Sequence, residues 1–533
     1  MRKNKILFSL IAFFVLLAGN VRSQDIDITT ASNKFTGALN IINNFYVDTV
    51  KNSELVTNAI VGMLKEMDPH SVYLSKEEMK ESKESLDGNF EGIGVQFNIL
   101  NDTIYVLSTI PGGPSEKLGI MSGDRIVKID DEDATGKKVT NEWVFKRLRG
   151  SKGTLVTVKI QRAGEKDLLE YPIKRDKIPI FSMDACYMAA PEIGYIKINR
   201  FAAKTVGEFN EGLNRLKAAG AKNLILDLRD NSGGYLQTAI ELSDEFIGSG
   251  KTLVYTEGMN SPINRSESHA GGSFEQGKVV VLIDEGSASA SEIVAGAIQD
   301  WDRGMIIGRR SYGKGLVQKP FNLPDGSVIR MTTARYHTPT GRCIQKPYKG
   351  NIENYFKDIE KRYKNGELLH PDSVKFPDSL KFKTPHNRVV YGGGGIMPDV
   401  FIPMDTSFAS KYLTELYRKN VISQFCIEYV DKNRKALNEK YKSVKEYKSS
   451  FKITTQMLND MFALGEKKGV KKNEKEFKTS EKVINSQLKA LIARNLFDMN
   501  AYYECISEID DNIEKAVEML KNDSFAKMQL QNQ

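Results

Sequence analysis

The stretch VVVLIDEGSASASEIVAGAIQDWDRGMIIGRRSYGKGLVQ, from Val279 to Gln318, decides the fold. Its apolar, mostly β-branched opening, Val279 to Ile283, predicts a short buried strand. The small residues Gly286 to Ala290 predict a tight turn. Ser291 to Asp300 then has helical spacing, with Ile293, Val294, Ala297 and Ile298 on one side. A strand, a turn and a helix therefore meet at serines, a corner that can hold a hydroxyl in the open beside unpaired backbone N–H groups, as an oxyanion site requires. Serine needs a base, and the next turn offers Lys314 between Gly313 and Gly315. A free lysine titrates near ~10.4, so work as a base near neutrality demands burial or a neighbouring cation. The flanking glycines suit a dry pocket, and they suit an ordinary turn with a solvated lysine equally well. These residues alone do not choose among Ser287, Ser289 and Ser291.

The run Gly286-Ser287-Ala288-Ser289-Ala290-Ser291-Glu292, followed by Tyr312-Gly313-Lys314-Gly315 and Gln318, resembles the carboxyl-terminal processing peptidases, serine peptidases with a Ser-Lys dyad. The resemblance implies that Ser289 is the nucleophile, Lys314 its base and Gln318 the residue that positions the lysine. It also implies an oxyanion hole built from the N–H of Gly233 or Gly234, in the turn Arg229-Asp230-Asn231-Ser232-Gly233-Gly234, together with that of Ala290. Ser232 stands where the family commonly has proline, and His337 where it more usually has tyrosine.

Phe90 to Arg175 is similar to a PDZ domain. Gly92-Ile93-Gly94-Val95 resembles the loop whose backbone N–H groups hold a peptide carboxylate, and Val95, Phe97 and Ile99 alternate as the adjoining strand should. Ile93 and Val95 are expected to line an apolar pocket opposite the groove helix. Pro111-Gly112-Gly113-Pro114-Ser115 and the stretch Gly119 to Ile129 resemble further parts of the module.

The 533 residues suffice for several domains. With 76 basic against 68 acidic residues, the net charge of +8 is a small excess over a long chain and gives no sign of a nucleic-acid function. Arg2, Lys3 and Lys5, then the apolar run Ile6 to Ala18, then Val21-Arg22-Ser23, read as a secretory signal cut after Ser23, with an uncleaved anchor as the alternative. Cys186, Cys343, Cys426 and Cys505 have no metal-ligand spacing, and the five histidines form no HExxH pattern. Lysine is thus the expected base, with no metal or cofactor.

Helical spacing runs from about Lys34 to Leu86, interrupted at Pro69-His70, and His70 beside Ser71 reads as a helix-ending turn. Gly194 to Ile198 and Asn223 to Leu228 read as strands, with an amphipathic helix, Thr205 to Ala219, between them. Ser327 to Thr332 reads as a strand, and residues 351–386 as a polar insertion. Beyond Ser407 the chain is helical and lysine-rich, without an assignable motif.

The expected architecture is α/β and multidomain. It comprises a signal segment (1–23), a helical region (24–87), a PDZ domain (88–176), a peptidase core that the resemblance implies to be crotonase-like ββα (177–404), and a helical carboxyl-terminal region (405–533). The expected protein is an exported endopeptidase, periplasmic or held at a membrane by an uncleaved signal, that captures polypeptides with apolar C-termini and cleaves unfolded chains. The alternative is a PDZ-based binding protein or chaperone without proteolysis. An adaptor protein and homo-oligomerisation are left open.

Overall fold

A computed structural model describes residues 27–348, 352–374 and 376–530; the signal-like residues 1–23 lie outside them. The chain divides into a small unit ending at Met67 and a large one from Asp68 onward. The small unit holds helices α1 (Ile28–Phe45) and α2 (Asn52–Lys65). Asp27 caps α1, accepting from the N–H groups of Thr29 and Thr30.

The large unit begins with strand β1 (Val72–Leu74), which interrupts the expected helix, and helix α3 (Lys76–Asp87). Ser75 and Glu78 form a capping box at the start of α3. Then come β2 (Asn89–Gly92), β3 (Val95–Leu100), β4 (Thr103–Thr109), β5 (Arg125–Ile129), β6 (Glu132–Asp133), helix α4 (Asn141–Leu148), β7 (Leu155–Gln161) and β8 (Leu169–Lys174). These strands make an antiparallel sheet ordered β3-β4-β5-β7-β8, with β6 on β5 and β3 at an edge. Its core gathers Ile104, Ile126, Val144, Val158 and Ile160, and Ile93 belongs to it. Strand β9 (Asp176–Pro179) pairs back onto β2.

The second six-stranded sheet, ordered β10-β11-β12-β15-β16-β19, carries the strand and helix of the serine-rich stretch. Its strands are β10 (Met183–Ala190), β11 (Ile193–Ile198), β12 (Asn223–Asp227), β15 (Val279–Ile283), β16 (Met305–Gly308) and β19 (Val400–Phe401); β10 is antiparallel and the others run parallel. A parallel sheet covered on both faces favours near-continuous apolar strands, and β11 and β15 are buried throughout. Helices α5 (Thr205–Ala218), α6 (Leu236–Asp244) and α7 (Ala290–Asp300) pack into the core on one side. A smaller sheet joins β1, β13 (Thr252–Gly258), β14 (Ser261–Glu267), β17 (Leu316–Asn322) and β18 (Val328–His337), the last longer than the sequence predicts.

The carboxyl-terminal helices make two separate contributions. Helices α8 (Lys411–Arg418), α9 (Val421–Lys440), α10 (Val444–Ser450), α11 (Thr455–Lys467), α12 (Glu474–Leu496) and α13 (Met499–Ile506) bury a core of their own around Phe425, Val430, Tyr447, Ile484 and Leu488. Helix α14 (Asp511–Lys521) does something the sequence does not announce. Its Ile513, Ala516 and Leu520, with Phe525 and Leu530, cover the second six-stranded sheet through Tyr195, Ile225, Val280, Leu282 and Ile307.

At the edge of that cover, Arg229 Nη2 binds Asp227 Oδ2 at 2.6 Å and Asp510 Oδ2 at 2.7 Å. Burial alone would raise the Asp227 carboxyl, but Arg229 and Lys197 outweigh it and hold the group well below the usual carboxylate range. Asp510 also caps α14 by accepting from the N–H groups of Asn512 and Ile513. Asp510→Ala therefore loses a cap and half of a guanidinium clamp, and about 1–3 kcal/mol of core stability should go with them. A lower unfolding midpoint in guanidinium checks this; an unchanged midpoint refutes it.

Candidate active site

Ser289 stands at the N-cap of α7 with φ 55° and ψ −111°, a backbone conformation that costs energy for a residue with a side chain. Gly233 faces it so closely that a Cβ there would sit 2.8 Å from Ser289 Cβ, and one on Gly234 would sit 2.1 Å from Phe201 O. Gly233 thus lets the turn after β12 lie against the Ser289 corner, and Gly234 lets it lie against Phe201.

The three serines of the turn separate in space. Ser287 Oγ is buried and donates to Leu228 O at 2.8 Å, and Ser291 Oγ is buried and donates to Asn231 O at 2.8 Å. Both hydroxyls are structural pins. Ser289 alone of the three lines a cleft of about 750 Å³, shared with Lys314, Gln318, Gly233 and Gly234.

Two buried residues tie Ser289 to Lys314 through their backbones. Glu292 Oε2 accepts from Ser289 N at 2.8 Å and Lys314 N at 2.9 Å, while its Oε1 accepts from Ser311 Oγ at 2.5 Å and Gly313 N at 2.7 Å. Burial pushes this carboxyl up, opposed by those four donors. The Tyr336 hydroxyl, also buried, lies 2.6 Å from Lys314 O and 3.1 Å from Ser289 O. One side chain holds both N–H groups and another both carbonyls. Sequence reasoning missed both residues, although the Ser-x-x-Glu spacing of a capping box is legible at Ser289 to Glu292.

Burial drives the Lys314 ammonium below the ordinary lysine range, and the charge of Arg330 adds to this; Glu292 and Asp68 oppose it. Gln318 Nε2 donates to His70 O at 3.0 Å. His70 does sit in a turn, organised by Asp68 Oδ1, which accepts from the N–H groups of His70 and Ser71. Its ring nitrogen Nε2 lies 2.7 Å from the Tyr355 hydroxyl, and burial with nearby Lys314 lowers its pKa to about 4. His70 is therefore neutral near neutrality. His337, at the end of β18, pairs with Glu257 at 3.1 Å and stacks on Tyr255, away from the cleft lining.

Of the oxyanion candidates, Gly233 N already donates to Asn231 Oδ1 at 2.9 Å. Among the described residues no acceptor takes the N–H of Gly234 or of Ala290.

In the PDZ-like sheet the N–H groups of Ile93 and Gly94 are likewise without an acceptor among the described residues. The Ile93 side chain does not line a pocket as expected: it is 2% exposed, turned into the sheet's core, while Val95 is half-buried. Gly94, at φ 76°, breaks the strand after Ile93, and the bond from Ser115 Oγ to Ile93 O at 2.6 Å holds the loop there. Gly92 abuts Phe90 and the backbone at Leu148 and Arg149. The groove side is instead occupied by Phe97 of β3 and Phe145 of α4, whose rings lie 5.5 Å apart.

The profile described as Peptidase family S41 matches residues 192–354, a PDZ domain profile matches 92–173, and one for the Activating protease CtpB N-terminal domain matches 18–78. Residues 412–498 match a family of unknown function, DUF8443. A "Carboxy-terminal-processing protease" of Bartonella bacilliformis is 35% identical over 352 residues, 64% of this chain and 80% of that protein. A "Probable CtpA-like serine protease" of Staphylococcus aureus is 36% identical over 314 residues, 58% of this chain and 62% of that protein. Among solved structures, the photosystem II D1 C-terminal processing protease aligns at 23% identity over 69% of this chain and 92% of its own, with a TM-score of 0.35. The chain belongs to the carboxyl-terminal processing peptidase family and is an S41 serine protease with a PDZ domain.

Proposed function

We propose that the protein is an exported endopeptidase in which Ser289 attacks the scissile carbonyl and Lys314 takes, then returns, the proton. The N–H groups of Gly234 and Ala290 receive the oxyanion, with Gly233 giving Gly234 its close approach. Gln318, braced on His70 O, holds the wall of the cleft beside the lysine. The Gly92-Ile93-Gly94-Val95 loop captures the carboxylate of an apolar C-terminus by its backbone, and unfolded polypeptide behind it enters the cleft. The domains follow the sequence reading, with a signal segment at 1–23, a helical region at 24–87, the PDZ domain at 88–176, the peptidase core at 177–404 and the helical region from 405.

The observation that carries this reading is that Ser289 and Lys314 line one cleft, with both backbones tied by Glu292 and Tyr336 and the other two serines pinned elsewhere. Labelling with a fluorophosphonate, followed by peptide mapping, tests it. The adduct is expected on Ser289; an adduct on Ser287 or Ser291, or none alongside full proteolysis of a denatured substrate, would overturn the assignment.

The lysine also sets the pH profile. Because only neutral Lys314 can accept a proton, kcat/KM should rise with pH through the Lys314 pKa and level off above it. Burial and Arg330 put the midpoint below the ~10.4 of a free lysine. Initial rates from pH 5 to 10, with and without a chelator, check both base and cofactor. Activity restored only by zinc would point to a metal-activated water instead.

A further inference from the structure

The catalytic cleft is strongly one-signed. Lys83, Arg200, Lys314 and Arg330 line it, and no aspartate or glutamate does. None of the four has an acidic partner within ion-pair distance among the described residues. Arg200 spends its donors on neutral groups, with Nε on Asn199 Oδ1 and Nη1 on Ser85 Oγ, both at 2.9 Å. Arg330 has still less: its Nε is buried without any hydrogen-bond partner among the described residues. Buried guanidinium donors are ordinarily satisfied, and this one has no acceptor among the described residues although Arg330 lines the cleft.

The arrangement is not the generic surface of this chain. Several other half-buried arginines of the large unit meet a carboxylate, as with Arg309 and Glu285 at 2.7 Å, Arg310 and Glu367 at 2.7 Å, and Arg388 and Asp399 at 2.7 Å, and the buried Arg303 fills its donors with three backbone carbonyls. Low-dielectric walls such as Met79, Leu86 and Ile293 lengthen the reach of the unpaired charges inside the cleft.

We infer that the cleft recognises a substrate carboxylate close to the scissile bond, and that Arg330, supported by Arg200, is the specificity-determining residue that receives it. This rests on the proposed peptidase reading and adds a substrate class to it. The carboxylate has two sources, an aspartate or glutamate side chain or the terminal carboxylate of a short chain, and guanidinium would bind either by charge-assisted hydrogen bonds. An acidic residue near the cut would thus be read in the cleft, apart from whatever the PDZ loop holds.

The test uses the full chain and internally quenched peptides of one neutral sequence. One series is amidated at the C-terminus and carries a single Glu, or Gln in its place, at successive positions flanking the cut; another is neutral throughout and ends in a free carboxylate. The wild-type protein should cleave the best-placed Glu peptide about tenfold faster in kcat/KM than its Gln twin, as expected of one charge-assisted contact. The ratio should shrink toward one as salt rises from about 0.05 to about 0.5 M. Arg330→Gln should abolish the ratio, and Arg330→Lys should restore part of it; matching thermal midpoints show that the variants are folded. A preference only for the free terminus that disappears in Arg330→Gln supports the inference with the terminus as source. A free-terminus preference that survives Arg330→Gln belongs to the PDZ loop and, without a Glu preference, overturns it. Equal cleavage of all peptides also overturns it.

If wild-type protein cleaves none of them, the peptidase reading fails by itself, and binding to Ser289→Ala decides the rest. Fluorescence anisotropy with the labelled Glu and Gln peptides should then still give several-fold tighter binding of the Glu peptide, lost when Arg330→Gln is added. Equal binding would end the inference independently of catalysis.

Discussion

Ser289→Ala and Lys314→Ala should each lower turnover of a denatured protein substrate by at least about a thousandfold, and the double variant should be scarcely worse than either. Non-additivity is the informative part. A nucleophile and its base act as one unit, so removing either removes the covalent route, and the remainder reflects only binding and oxyanion stabilisation. Neither change should disturb the fold, because Ser289 is held through its N–H and carbonyl, and Lys314 through its N–H and carbonyl, not through the side-chain atoms removed. Fragment formation followed by mass spectrometry reads the result. Full proteolysis by either variant would remove the dyad from consideration. Two independent losses that multiply would mean that the two residues serve separate steps.

Glu292→Gln should come next in size, with a loss of about a hundredfold or more in kcat. The native carboxylate accepts four hydrogen bonds and donates none. A glutamine amide has one accepting oxygen, so its NH₂ must face either the N–H groups of Ser289 and Lys314 or the Ser311 hydroxyl and the Gly313 N–H. Donor would meet donor in a dry site. Orphaning these groups costs about 1–3 kcal/mol each, and the loop carrying Lys314 relaxes away from α7 to avoid it. A displacement of about 1 Å between nucleophile and base suffices for the rate loss. Because Glu292 touches no substrate, KM should change much less than kcat. A variant with wild-type kcat would show that the two backbones keep their register without it.

The active-site stretch was unusually legible. Strand β15, the turn and α7 follow from a β-branched run, five small residues and a 3.6-residue period, and α7 begins one residue earlier than its apolar spacing suggests, at Ala290. Period and turn chemistry are local, so sequence carries them. Choosing among the three serines is not local: it depends on carbonyls at Leu228 and Asn231, about sixty residues away, that consume two of the hydroxyls. The same limit explains why Tyr336 and the contact of Gln318 with His70, 248 positions apart, leave no local signature. It also explains the PDZ loop. Alternation predicts that Ile93 and Val95 share a face, but Gly94, at φ 76°, breaks the strand between them and turns Ile93 into the core. The tail was the least legible part. Amphipathic spacing announces helices there, yet nothing in α14 says that its apolar stripe belongs to a sheet whose strands lie more than a hundred residues upstream.

That last dependence has a temporal side. Ser289 and Lys314 leave the ribosome well before Ile513, Leu520 and Phe525, and until those arrive Tyr195, Ile225, Val280 and Leu282 have one face in water. Arg229, on the turn that leads to Gly234, likewise waits for Asp510. A strained corner such as Ser289 persists only where its surroundings hold it, and the uncovered face removes part of that support. The order of synthesis thus leaves this face of the sheet without its cover until the last helices have been made, and a chain ending before Asp510 is expected to show no proteolysis of a denatured substrate.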